Sequence, residues 1–414
     1  MRHVLKRTRS GPAGAPTRAG SLAGLMAGLV VALAGLTGCG GLTALTEGKS
    51  GASDDTIRIV PEDGARAVGR SDRIEVKVPD GRLERVRVME VEDARATELP
   101  GHISENGRSW RPERGSEIAL AAKYLVEAVA VDEDGHRSAR HTTFTTAVPT
   151  HRFIGYVTPE NRSTVGTGMI VSIDFNRPIR DRAAVERAVA VTSDPPVEVV
   201  GHWFGRTRLD FRPREYWRPG TRVTVDLRLR DVPGAPGMYG IQRRTVGFTV
   251  GRSQVSRVDA AKHTMEVRRE GAPVATVPIT AGARRTPTYN GKMVVTELYD
   301  VTRMDGRTVG FGGEYDIKDV PHAIRLTTSG TFLHGNYWAS DDTFGAENTS
   351  HGCIGLHDVK GGRGATPAGW FFDRTLVGDV VEVVNSKDRK VAPDNGLGGW
   401  NMEWKKWRAG SAVL

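Results

Sequence analysis

The chain has 414 residues, 38% hydrophobic and 26% charged, with 50 Gly, 21 Pro, 2 Cys and a net charge of +9. At about 100–200 residues per domain it holds several cores, and its composition excludes a wholly disordered, collagen-like, polytopic membrane or disulfide-scaffold chain. Residues 1–38 carry Arg2, Lys6, Arg7, Arg9 and Arg18 with no acid, leaving +4 for the rest, and runs such as Arg222 to Arg230 alternate like the wet face of a strand, so no nucleic acid partner is expected.

The basic start leads into an apolar stretch from Leu22 to Leu36, a secretory h-region too short to span as a mature helix. Leu36-Thr37-Gly38-Cys39 follows directly and resembles the lipobox of bacterial lipoproteins. That resemblance implies a signal peptide over 1–38, cut before Cys39, and acylation of Cys39. The protein is then expected on the outer face of the plasma membrane, where two or three acyl chains anchor stably and one does not. The alternative is an ordinary signal peptide with a chance cysteine. Residues 39–55 read as a small, polar tether. If Cys39 carries lipid, Cys353 is the remaining thiol, in a compartment that favours disulfides. It is either inert or kept for chemistry.

Residues 56–148 read as a first immunoglobulin-like sandwich. Arg73 to Pro79, Arg85 to Val91 and Lys123 to Val131 alternate polar with apolar residues, and turn signals recur about every ten residues. Asp132 to Gly135 has too few acids for a calcium loop and reads as a hairpin turn. Residues 149–250 repeat the style, with strands expected at Met169 to Phe175, Arg222 to Leu227 and Val246 to Val250. There Trp203, Phe204, Tyr216 and Trp217 fit core and edge better than a sugar platform. Residues 251–385 are again β-rich, with strands expected at Gln254 to Asp259, Thr264 to Arg269, Ala275 to Thr280 and Val380 to Val384, and a short helix possible only from Asp358 onward or near Phe371 to Leu376. Residues 386–414 form a tail in which Trp400, Trp404 and Trp407 fall at i, i+4 and i+7, as on one helix face. This stripe is expected to dock on the reactive unit or the preceding sandwich. The fold class expected is mainly β: two tandem immunoglobulin-like sandwiches, a β-rich reactive domain and a Trp-rich tail.

One window concentrates chemistry: Ser329 to Trp338, with His334, then Thr349 to His357, with His351, Cys353 and His357. A free cysteine is only a few per cent thiolate at pH 7, and a nearby imidazole removes that limit by taking the proton. Gly352 before the thiol lets successive amides converge on one point, as an oxyanion hole requires. Thr331 to Leu333 reads as a strand that ends by presenting His334.

His334, fifteen intervening residues and Ser350-His351-Gly352-Cys353 resemble the signature of the YkuD-type L,D-transpeptidases, and the two sandwiches and Trp-rich tail are similar to its multidomain actinobacterial branch. The resemblance implies Cys353 as nucleophile and His334 as base, oriented by the carbonyl of Gly335. It implies His351 as a shaping residue and the amides of His351, Gly352 and Cys353 as the oxyanion hole. Met304, Tyr315 and Trp338 are implied as lid and pocket walls, with Ser329, Gly330 and Ser350 also at the substrate. The position two after the cysteine, often Asn or Arg in the family, is Gly355 here, so what that side chain gives must come from elsewhere or be missing.

The implied reaction is acyl transfer on peptidoglycan stem peptides. Cys353 takes the third residue of a tetrapeptide as a thioester, expelling D-alanine, and an acceptor amine resolves it to a 3→3 cross-link. Water in place of the amine would make a carboxypeptidase, and carbapenems are expected to be trapped at the same thiol. No cofactor or metal is implied. A zinc site from His334, His351, Cys353 and His357 is disfavoured by its His-x-Cys spacing. A papain-type protease is disfavoured because there the cysteine precedes the histidine. A different class remains: a silent lipoprotein whose sandwiches hold the cell wall.

Overall fold

The computed structural model describes residues 56–92, 95–310 and 312–414, so the expected signal peptide, Cys39 and the tether lie outside the described residues. No described helix is long and apolar enough to cross a membrane. The chain divides into two compact units, meeting in sequence near Thr146 and Ala147.

In the first unit the alternation of the sequence becomes two facing sheets. Arg58–Val60, Glu75–Lys77, Ser109–Pro112 and Gly101–Ile103 form one, while Ala65–Val68, Arg137–Thr146, Lys123–Val131, Arg82–Glu92 and Arg95–Glu98 form the other. Along Lys123–Val131 every second residue is buried, the period of a pleated strand, and Tyr124 stacks on Phe144 at 5.2 Å inside. Asp132 Oδ1 accepts from the amides of Asp134 and His136, closing a hairpin turn. Asp132, Asp134 and His136 are exposed, and their packing is that of this turn.

The second unit begins with another sandwich, its main sheets ordered Gly155–Thr158, Val171–Phe175, Arg208–Pro213, Val199–Phe204 and Thr164–Val165, Arg243–Val250, Arg222–Arg228, Val189–Asp194. Trp203 and Trp217 are buried core. A six-residue helix, Arg182–Arg187, was not expected; it is too short to show a hydrophobic period and is set by its cap, Asp181 accepting from the Ala184 amide at 3.0 Å.

The sandwich does not end at Gly251. Its apolar core runs on into Val294 of the following sheet and into Leu397 and Trp407 of the tail, so residues 147–414 pack as one unit where separate domains were expected. A shared core is the reason.

The sheet that follows has nine strands: β1 (Gln254–Asp259), β2 (Thr264–Arg269), β3 (Ala272–Thr280), β4 (Gly291–Val294), β5 (Glu297–Asp305), β6 (Asp316–Arg325), β7 (Phe332–Asn336), β8 (Ile354–His357) and β9 (Val380–Val384). Their order is β4-β9-β1-β2-β3-β8-β7-β6-β5. The helix Pro367–Phe372, capped by Thr366, packs Phe371 and Phe372 into the core formed by Ile279, Leu333, Ile354 and Val381. β7 and β8 run parallel, with His334 beside Gly355. Parallel neighbours need a crossover, and residues 337–353 supply it.

The tryptophans do not share one helix face. Trp400 sits in a 3₁₀ turn (Gly398–Asn401), Met402 is extended, and only Trp404 and Trp407 lie in the helix Trp404–Arg408. They converge instead on one cation: the Arg212 guanidinium lies 4.6, 5.2 and 4.5 Å from the rings of Trp400, Trp404 and Trp407. Trp407 is fully buried, stacks on His202 and donates its indole N–H to the Val200 carbonyl at 2.9 Å. The tail therefore docks on the sandwich, and Asn401 ties it to β4 through the amide and carbonyl of Lys292.

Candidate active site

Cys353 precedes β8 directly, and His334 stands in the middle of β7, not at its end. The extra residues Gly335 and Asn336 continue the pairing with β8 and hold the imidazole between two fixed strands. His334 is buried, and its ring stacks on Trp338 at 5.5 Å and 16°. Its Nδ1 lies 3.0 Å from the Gly335 carbonyl. A carbonyl only accepts, so Nδ1 carries the proton and Nε2 is left with its lone pair.

The thiol is half-buried. It packs with Met304, Tyr315 and Phe332, and its Sγ–H donates to the Gly330 carbonyl at 3.7 Å. Burial raises the Cys353 thiol to about 11, with the Phe332 backbone acting in the opposite direction. Burial also lowers His334, opposed by its bond to Gly335 and by the charge of Asp358. At rest the pair is thiol plus neutral imidazole.

The turn before the thiol is shaped by Ser350, whose hydroxyl donates to the Cys353 carbonyl at 2.6 Å and accepts the Gly352 amide at 3.2 Å. Gly352 adopts φ +101, which favours glycine. Its amide is engaged, whereas the Cys353 amide has no acceptor among the described residues. Of the three amides expected to form an oxyanion hole, Gly352 would have to leave Ser350 first.

His351 Nε2 meets Glu314 at 2.9 Å, and its ring lies 5.1 Å from Tyr315. His357 pairs with Asp341 at 3.0 Å. Among the described residues, the four groups that could suggest zinc do not gather into one cluster. Tyr315 packs with the thiol, and its neighbour Glu314 is pinned by His351. Val309 lies under Gly330, where a β-carbon would come within 2.2 Å of it.

Ser329 and Gly330 sit on the β6–β7 turn. Ser329 exchanges hydrogen bonds with Asn395 of the tail, 3.0 Å to its amide and 2.8 Å to its hydroxyl, and the Gly396 amide donates to Thr328. Trp338 is exposed beside a groove lined by Asp316, Asp319, Tyr337 and Lys360.

Gly355 is expected at the substrate. It is buried within the sheet, and a side chain there would meet Thr280 at 2.9 Å and the Asn336 amide at 3.2 Å. Asn336 therefore occupies that space, from the neighbouring strand, while its Oδ1 accepts the Ala339 amide at 3.1 Å.

Sequence reasoning missed Asp358, His322 and Glu314. Asp358 is 3% exposed, and its carboxylate takes His322 Nδ1 at 2.7 Å, the Val359 amide at 2.8 Å and the Thr366 hydroxyl at 2.9 Å. An acid five residues after the nucleophile, followed by a Thr-Pro helix start, was the available signal.

The model of the L,D-transpeptidase catalytic domain family matches residues 253–383, and that of the bacterial Ig domain matches residues 65–233. L,D-transpeptidase 2 of Mycobacterium tuberculosis is 33% identical over 353 residues, 84% of this chain and 83% of that protein. L,D-transpeptidase 5 of the same species is 30% identical over 360 residues, 85% of this chain and 76% of that protein. A solved structure of the L,D-transpeptidase LdtMt1 in complex with imipenem aligns at 30% identity over 57% of this chain and all of that one, with a TM-score of 0.48.

Proposed function

Since the chain belongs to the L,D-transpeptidase family, we propose that it cross-links peptidoglycan by acyl transfer through Cys353. The observation that carries this reading is a free, half-buried thiol at the start of β8 and an imidazole on the paired parallel strand β7, whose Nδ1 is engaged by a carbonyl so that Nε2 keeps its lone pair.

Nε2 of His334 takes the proton of Cys353 as a donor tetrapeptide enters, and Sγ attacks the carbonyl carbon of the third residue. The Cys353 amide supports the oxyanion. The carbon–nitrogen bond to D-alanine breaks, and the imidazolium returns its proton to the departing amine. The acceptor amine then attacks the thioester carbon and gives a proton to Nε2 of His334, the carbon–sulfur bond breaks, Sγ takes that proton back as the thiol, and a 3→3 link results. Peptidoglycan stems are the partners in this reading, and acylated Cys39 keeps the chain at the outer face of the plasma membrane.

Incubation with imipenem followed by intact mass tests the proposal. The protein should gain one adduct, Cys353→Ala none, and His334→Ala should acylate at least about 10²-fold more slowly, the usual worth of a general base. An adduct on Cys353→Ala would sink it. Defined tetrapeptide stems then separate transfer, which yields dimers, from hydrolysis, which accumulates tripeptide.

A further inference from the structure

Asp358 is a buried carboxylate that the reaction as written above does not use. It does not touch His334. It lies against the one residue between them: a β-carbon on Gly335 would fall 2.0 Å from Asp358 Oδ2. Gly335 is thus a glycine because the carboxylate fills its side-chain space, and its carbonyl is the group that holds His334 Nδ1. On the far side, His322, Thr366 and the Val359 amide fix the carboxylate. Three donors around a nearly inaccessible acid keep it in place and charged, and hydrogen bonding holds it below the usual carboxylate range against the cost of burial.

Resting on the acyl-transfer reading above, we infer that Asp358 is a positioning residue of the active site: its carboxylate fixes the Gly335 carbonyl against His334 and stabilises the imidazolium that forms when the Cys353 proton arrives. The charge sum around the imidazole favours this assignment. On the neighbouring β6, Asp316 is paired with Arg303, Asp319 is taken by the Tyr337 hydroxyl at 2.6 Å and by Lys360, and Arg325 by Glu297. On β8, His357 is paired with Asp341, beside Tyr315, Glu314 is paired with His351, and the helix Pro367–Phe372 carries no titratable side chain. Asp358 is the acid whose charge acts on His334, in the direction that favours its protonated form. In a Ser-His-Asp arrangement the acid bonds the imidazole itself, whereas here a peptide carbonyl stands between them.

The test is the rate of imipenem acylation of the full chain from pH 5 to 9, followed by intact mass, for wild type, Asp358→Asn and Thr366→Ala. Asp358→Asn should lower the plateau about tenfold and move the acid limb to lower pH, since an imidazole without the nearby charge gives up its proton more readily. Thr366→Ala keeps the acid but loosens it, and should shift both in the same direction by less, which covers the case of Asp358→Asn failing to fold. A lower plateau with an unmoved limb in both variants means a structural role alone and overturns the inference, as do wild-type profiles in both. Absence of an adduct on wild type strikes instead at the acyl-transfer reading, and this inference falls with it.

Discussion

At the scale of single residues, the site keeps its reactivity latent. A thiol at about 11 leaves a thiolate share of ~10⁻⁴ at pH 7, well under the few per cent of an ordinary cysteine. Nucleophilicity therefore arises only with a substrate in place and His334 ready to take the proton. Iodoacetamide on the free protein should consequently react at a rate that climbs about tenfold per pH unit through pH 9, where an ordinary thiol has begun to level off. A plateau by pH 8.5 would contradict the protonated, half-buried thiol. The nucleophile and base were legible because their residue types and spacing are a local pattern. Asp358 was not, since its relation to His334 runs through the backbone of Gly335 and depends on β7 and β8 lying side by side. Nor could the sequence show that Gly355 is empty because Asn336 fills its space across the same strand pair.

At the scale of elements, strands were read well wherever polar and apolar residues alternate: Lys123–Val131, Gln254–Asp259 and Thr264–Arg269 stand where expected. Short elements set by a cap, such as Arg182–Arg187, carry too few residues for a period and went unread. The tail shows the limit of periodicity most plainly, because i, i+4 and i+7 spacing is necessary for a helical stripe but did not produce one. What gathers Trp400, Trp404 and Trp407 is Arg212, a residue almost two hundred positions earlier. Trp407→Ala should destabilise the second unit by about 3–5 kcal/mol, the usual cost of truncating a large buried aromatic. Thermal melting checks this, and deleting residues 396–414 should lower melting temperature and acylation rate together. Unchanged melting would mean that the tail is not part of the core.

At the scale of the molecule, the second sandwich, the nine-stranded sheet and the tail share apolar contacts and form one unit. Composition cannot reveal this, since a continuous core and two adjacent cores use the same residues. The first sandwich, by contrast, is a unit of its own. Anchoring belongs to this scale too. Cys39→Ala should move the protein from the membrane fraction to the soluble one and abolish incorporation of labelled fatty acid; retention at the membrane would overturn the lipoprotein reading.

The hydrogen bonds between Ser329 and Asn395 have a consequence for synthesis. The turn that carries the Gly330 carbonyl, against which the thiol rests, is fastened by residues emerging after all nine strands have been made. A chain that stops after Val384 would possess Cys353, His334 and Asp358 and still lack the fastening. Assembly of the active centre thus waits on residues translated after the whole sheet, so that a product truncated before Asn395 is released without a finished site.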